Sequence, residues 1–196
     1  MQIEYEAMFG DINKEEMRQK LADVGAILLR PEFLQKRIVF AMPRGHEIKG
    51  GWVRVRDEGN KITMTLKVVD GDGIENQKEI LLAIDSFERA EEFLIMLGCE
   101  KKSYQENKRE LWKLNNAEVT IDEWPFLEPF VEIEGDSEQS VREVAGTLSF
   151  DYSNALFGTV TILYSKKYNI SEAIIGNETP QIIFEGKNPF VKDVRS

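Results

Sequence analysis

The stretch Val53-Arg54-Val55-Arg56-Asp57-Glu58-Gly59-Asn60-Lys61-Ile62-Thr63-Met64-Thr65-Leu66-Lys67-Val68 decides the fold class. Successive side chains of a strand point to opposite faces. Here Val53 and Val55 alternate with Arg54 and Arg56, and beyond a break Ile62, Met64, Leu66 and Val68 alternate with Thr63, Thr65 and Lys67. Each segment reads as a strand that is apolar on one face and polar on the other. The same period recurs outward from it. Residues 2–9 set Ile3, Tyr5, Ala7 and Phe9 against Glu4, Glu6 and Met8, and further strands are predicted over 35–42, 77–84, 104–114, 117–122, 128–134 and 158–164. Many short strands with turn signals between them indicate a β-rich barrel or sandwich.

Two helices interrupt the strands. Asn13, with Glu16 three residues on, forms a capping-box pattern, Met17, Leu21 and Val24 share a face, and Gly25 supplies the stop. The second helix begins near Asp85 or Ser86, carries Phe87, Ala90, Phe93, Leu94 and Leu97, and stops at Gly98. Some ten residues after each glycine comes a basic pair opening a strand, Lys36-Arg37 and Lys108-Arg109. This spacing predicts a weak internal repeat. Periodicity fades after about residue 185, so residues 1–185 are expected to form one domain and residues 186–196 a tail.

Composition closes several routes. At 196 residues with 42% hydrophobic content the chain can fill one ordinary core, and no apolar run reaches the roughly 20 residues that cross a bilayer. A net charge of −10 disfavours nucleic acid as a partner. The acidic, alternating Met1–Glu6 segment is unlike a secretory signal, and the lone Cys99 excludes an internal disulfide, so a cytoplasmic setting is expected. A single histidine, His46, lies in a loop-like stretch, which rules out histidine-rich zinc sites. No phosphate-binding glycine loop occurs, and Asp70-Gly71-Asp72-Gly73-Ile74-Glu75 fits a hairpin connection better than a calcium loop.

The chemical signal lies on the polar strand faces, which carry Glu4 and Glu6, Arg54 and Arg56, Lys67, Glu79, Asp122, and Glu132 and Glu134. Any one of these faces alone reads as solvated. Together they differ, because the acids come in same-face pairs roughly 6.5–7 Å apart along the strand, with the bases between them in sequence. Converging carboxylates without imidazole or thiolate suit Mg²⁺ or Mn²⁺, and convergent arginine and lysine suit phosphate oxygens. A barrel holding so much charge must be hydrated and filled by a ligand.

Glu4-Tyr5-Glu6 resembles the E-x-E-x-K opening of the CYTH proteins, which include class IV adenylyl cyclases, thiamine triphosphatases and inorganic triphosphatases. Arg54-Val55-Arg56, Thr65-Leu66-Lys67 and Lys108-Arg109-Glu110-Leu111-Trp112 are similar to the family's basic strands, and Thr120–Glu134 to its D…L-G-x-F-x-E-x-E stretch. The ordered series runs from about residue 2 to residue 165. The resemblance implies an α+β, β-rich fold: a closed antiparallel eight-stranded β-barrel tunnel with flanking helices. It implies that Glu4, Glu6, Glu132 and Glu134 hold Mg²⁺ or Mn²⁺, that Arg54, Arg56, Lys67 and Arg109, with Lys108 or Arg37 as additions, clamp phosphates, and that Glu79 and Asp122 act in catalysis. The implied partner is a small-molecule triphosphate rather than nucleic acid or membrane, and a homodimer is compatible. The implied activity is metal-dependent triphosphate hydrolysis, with cyclic AMP formation from ATP as the alternative. Met8 replaces the signature lysine, and Asn107 stands where a basic residue is common, so a binding module with weakened turnover is a third reading. Lys166 and Lys167 are the candidate substitutes for the missing cation.

Overall fold

The computed structural model describes residues 1–191. The N-terminal strand is broken at Glu4 into β1 (Gln2–Ile3) and β2 (Tyr5–Phe9), followed by α1 (Lys14–Asp23), β3 (Ile27–Ala41), β4 (Gly51–Asp57), β5 (Ile62–Val69) and β6 (Gln77–Ile84). Next come α2 (Phe87–Met96), β7 (Glu100–Leu114), β8 (Ala117–Glu123), β9 (Phe130–Gly135) and α3 (Glu138–Thr147). Helices α4 (Thr161–Tyr168) and α5 (Glu172–Glu178) and the short β10 (Gln181–Ile182) complete the fold. The strand order is β1-β6-β5-β4-β3-β7-β8-β9-β2. Because β1 pairs with β6 and β2 with β9, the two halves of one strand close the sheet into an antiparallel barrel. With β1 and β2 taken as one strand, this is the expected eight-stranded barrel. Strand β10 adds a parallel rung outside β7.

The barrel is polar within and apolar without. Thr63 and Thr65 are buried facing inward, whereas Ile62, Met64 and Leu66 on the same strand pack outward with Ile38, Val55 and Leu94. Helix α1 is capped by the Asn13 side chain, which accepts from the backbone N–H groups of Glu15 and Glu16, and it buries Met17 and Leu21 on the outer wall. Helix α2 is capped by Ser86 and lies over β4. Helix α3, which the strand-centred reading overlooks, buries Val141, Val144 and Ala145 against β9 and β2. Its spacing of three and four residues after Ser137 is an ordinary helix signature.

The expected repeat is present as topology. Strand–helix–three strands occurs twice, as β2-α1-β3-β4-β5 and β6-α2-β7-β8-β9. The two long strands β3 and β7 pair antiparallel, with Gln35 directly opposite Asn107. One expectation fails: residues 158–164 do not form a strand but lead into α4. The β-branched run Thr159-Val160-Thr161-Ile162 mimics a strand locally. Packing decides otherwise, because Val160, Tyr164 and Tyr168 recur every fourth residue against Trp124, Phe130 and Phe190. Phe190, within the expected tail, is buried beside Tyr164. Residues 192–196 of that tail lie outside the described residues.

Candidate metal and phosphate site

The barrel encloses a cavity of about 820 Å³. Its walls carry Glu4 and Glu6 from the N-terminal strand, Arg37 from β3, Arg54 and Arg56 from β4, and Lys67 from β5. Glu79 from β6, Arg109 from β7, and Glu132 and Glu134 from β9 line it too, with Glu58, Lys61, Lys102 and Glu118 among the further charged residues. Alternation accounts for this. Where an apolar cover draws one face of a strand outward, as on β2, β4, β5, β8 and β9, the charged face turns inward.

The charges separate by strand. On the acidic side, one carboxylate oxygen each of Glu4, Glu6 and Glu134 lie within 4.8 Å of one another. Burial, then Glu132, lifts the Glu6 carboxyl well above its ordinary range. Glu134 and Glu79 are also raised, by burial and then by Glu4. Lys67 Nζ lies 2.8 Å from Glu4 Oε2, close enough for an ion pair although the angle is poor for a hydrogen bond. These oxygens are hard donors that repel one another, and a divalent cation of the Mg²⁺ or Mn²⁺ type fits that set. Glu132, expected in the same group, is engaged by Arg109 instead, so three of the four expected ligands converge.

On the opposite side lie cations that lack acids. Arg37 and Arg54 are both buried, and neither forms an ion pair within the described residues. Burial and the neighbouring Arg54 and Arg56 push Arg37 well below the usual guanidinium range. Burial and Arg56 lower Arg54 to about 10, which leaves it charged at neutral pH. Arg56 pairs with Glu58 at 2.8 Å. Among the described residues the hydroxyls of Thr63 and Thr65 lack partners, as do the Nε atoms of Arg37, Arg54 and Arg56. A buried cation without a counterion is costly, and phosphate oxygens supply the complementary charge.

Two expected site residues take other positions. Asp122 is fully buried and accepts from Asn107 Nδ2 at 2.7 Å, Arg109 Nε at 2.9 Å and Thr120 Oγ1 at 2.6 Å, with Arg109 Nη2 2.9 Å from its other oxygen. Its acceptor capacity is spent on these donors, so it orients Arg109, one of the roles expected of it, and it does not line the cavity. Burial pulls Arg109 down, but Asp122 and Glu132 outweigh it and hold the guanidinium well above its usual range. Lys108 points to the outer face, where it lies over Phe184 and 3.6 Å from Glu123. Register explains this, since neighbours of the inward-facing Arg109 must face outward. Lys166 is exposed and Lys167 pairs with Glu128, so neither replaces the missing signature lysine. Met8 itself is buried among Trp124, Phe130 and Tyr164.

Lining residues that the sequence reading did not single out include Gln35, Glu58, Thr120 and Trp124. Gln35 shares the face of Arg37 in the predicted strand over 35–42, and that alternation could have found it, but an uncharged glutamine gives no further signal.

A closed antiparallel barrel with a charged interior, carrying an acid cluster and buried arginines, is the class of architecture that this chain presents. The CYTH domain matches residues 2–161, and the chain belongs to that family. A conserved hypothetical protein of Pyrococcus furiosus shares the fold, with a TM-score of 0.68, 24% identity, and coverage of 82% of this chain and 99% of that one. So does a Vibrio parahaemolyticus protein described as a candidate adenylate cyclase, with a TM-score of 0.71, 12% identity and coverage of 84% and 98%. A Hippeastrum protein described as having a dominant triphosphatase activity superposes with a TM-score of 0.59 at 11% identity, over 86% of this chain and 97% of its own. No curated protein matches the chain. Among the described residues no helix is long and apolar enough to cross a membrane.

Proposed function

We propose that this chain is a divalent-metal-dependent phosphohydrolase acting on a triphosphate, inorganic or organic. The observation that carries the reading is the pair of buried arginines without acids, Arg37 and Arg54, facing the Glu4, Glu6 and Glu134 cluster across one cavity. A linear triphosphate presents several anionic oxygens in a row, which suits a lined tunnel better than a single anion would. Arg37, Arg54, Arg56 and Lys67 bind and align the phosphates, and Arg109, fixed by Asp122, reaches them from the next wall. Glu4, Glu6 and Glu134 would hold Mg²⁺ or Mn²⁺, which supplies charge neutralisation and polarises a phosphoryl oxygen. Glu79, half-buried with a raised pKa, is suited to accept a proton from an attacking water. The names of the structural relatives, a triphosphatase and a candidate cyclase, agree with triphosphate chemistry.

With Mg²⁺ or Mn²⁺ present, the purified protein should release phosphate from tripolyphosphate. The double change Glu4→Gln/Glu6→Gln should lower turnover by at least about a thousandfold, the order expected when electrostatic stabilisation is removed. Turnover undiminished in that variant would refute the assignment. Cyclic AMP formed from ATP, without release of inorganic phosphate, would move the chain to the cyclase alternative. Tight tripolyphosphate binding with no product would favour the binding-module reading.

A further inference from the structure

Arg37 is held almost entirely by neutral groups. Its Nη2 donates to Gln35 Oε1 at 2.8 Å and to Asn107 Oδ1, and its guanidinium lies 4.6 Å from the centre of the Trp124 ring. Gln35 and Asn107 are buried and face each other across the β3–β7 seam that relates the two halves of the barrel. The orientation of Asn107 is forced. Its Nδ2 donates at 2.7 Å to Asp122, which can only accept, so its oxygen is the end presented to Arg37. Asp122 thus anchors Arg37 through an uncharged amide, while it grips Arg109 directly.

This difference has an electrostatic consequence. A carboxylate at either amide position would orient Arg37 as well, but it would also cancel its charge. A lysine or arginine there would repel it. An amide fixes the guanidinium and leaves the charge unspent. We infer that Gln35 and Asn107 form a charge-sparing cradle that positions Arg37 as a full-strength receptor for a phosphate group. Asn107 is therefore a built positioning residue and not a lost cation. The inference rests on the triphosphate reading for the identity of the ligand, but its test does not need turnover.

Tripolyphosphate binding is measured by calorimetry in EDTA, with pyrophosphate and inorganic phosphate as shorter probes. Gln35→Glu keeps an acceptor for Arg37 and adds one negative charge. It should weaken tripolyphosphate binding by roughly tenfold or more, equivalent to about 1.4 kcal/mol, with no fall in melting temperature. In an Arg37→Met background the same change should weaken binding much less, because no cation remains to be cancelled. A merely structural glutamine would show the opposite pattern, with lowered stability and an effect independent of Arg37. Asn107→Leu, which removes the acceptor at similar volume, supplies a second reading should Gln35→Glu fold poorly. It should also lose affinity non-additively with Arg37→Met. Additive losses in both cycles, or Gln35→Glu binding as tightly as the parent, would overturn the cradle. So would a parent protein that binds none of the three probes. Binding that follows this pattern with no hydrolysis in Mg²⁺ or Mn²⁺ would uphold the cradle and refute the hydrolase reading alone.

Discussion

Met8 shows how one side chain changes meaning between sequence and structure. In the strand alternation it shares a face with Glu4 and Glu6, and the absent lysine reads there as a lost phosphate contact. In the fold it is 1% exposed, packed on Phe130, Trp124 and Tyr164 and bridged through its backbone to Leu156. It belongs to an apolar cluster whose Trp124 lines the cavity. Met8→Lys should therefore not restore activity. It should destabilise the protein by about 2–4 kcal/mol, since Glu132, its cross-strand neighbour, is already engaged by Arg109. Urea denaturation measures this, and a variant as stable as the parent but faster on tripolyphosphate would contradict it. Asp122 gains a definite role in the same way. As a bare sequence position it could orient a base or assist the metal and water, and its contacts to Arg109, Asn107 and Thr120 make it a support for Arg109.

At the scale of the element, the helices explain why the charged faces turn inward. Helices α1 and α3 cover the outer faces of β2, β8 and β9, and α2 covers β4, so the apolar rows of these strands have somewhere dry to go, whereas Ile80 and Leu82 on β6 stay exposed. Helix α4 does a different task. Its Tyr164 is buried, has its ring centre 4.6 Å from that of Phe190 in a tilted contact, and donates to the Pro125 carbonyl at 2.7 Å, tying the C-terminal segment to the β8–β9 loop. Tyr164→Phe leaves that carbonyl without its donor in a buried place. The expected cost is about 1–2 kcal/mol, read as a shift in the denaturation midpoint, with the metal site intact. A loss of Mn²⁺ affinity out of proportion to stability would show that α4 acts on the site directly.

Across the whole molecule, the acid cluster makes stability depend on pH in an unusual direction. Glu6, Glu79 and Glu134 titrate above their unfolded values because of burial and mutual repulsion. Between the ordinary carboxylate range and the raised native values, the folded state therefore holds more protons than the unfolded one. Their contribution is present in full below the ordinary carboxylate range, and it is lost as pH rises through the raised values. For the metal-free protein, Glu6→Gln should flatten the decline in melting temperature across that window. Mg²⁺ or Mn²⁺ should raise the melting temperature more at about pH 8 than at about pH 5, because the ligands must be deprotonated to bind. An equal metal effect at both values would argue against the carboxylate site.

The sequence by itself determined a β-rich fold and most of its charged faces, and the resemblance to the CYTH proteins implied the closed barrel. Period-two alternation is local, and it assigns Glu4, Arg54, Lys67 and Glu132 to faces without knowledge of any partner. It also exposed the repeat, since Lys36-Arg37 and Lys108-Arg109 hold equivalent places after their helices. Only the tertiary structure decided which charges meet. Lys108 and Arg109 are adjacent in the chain, yet register sends one outward and one inward. Whether Glu132 joins the acids or Arg109, and whether Arg37 is held by an acid or an amide, depends on residues brought together across strands β3, β7, β8 and β9. Helix α4 was lost for the same reason, because its β-branched residues favour a strand until Trp124 and Phe190 give them a helical face to fill.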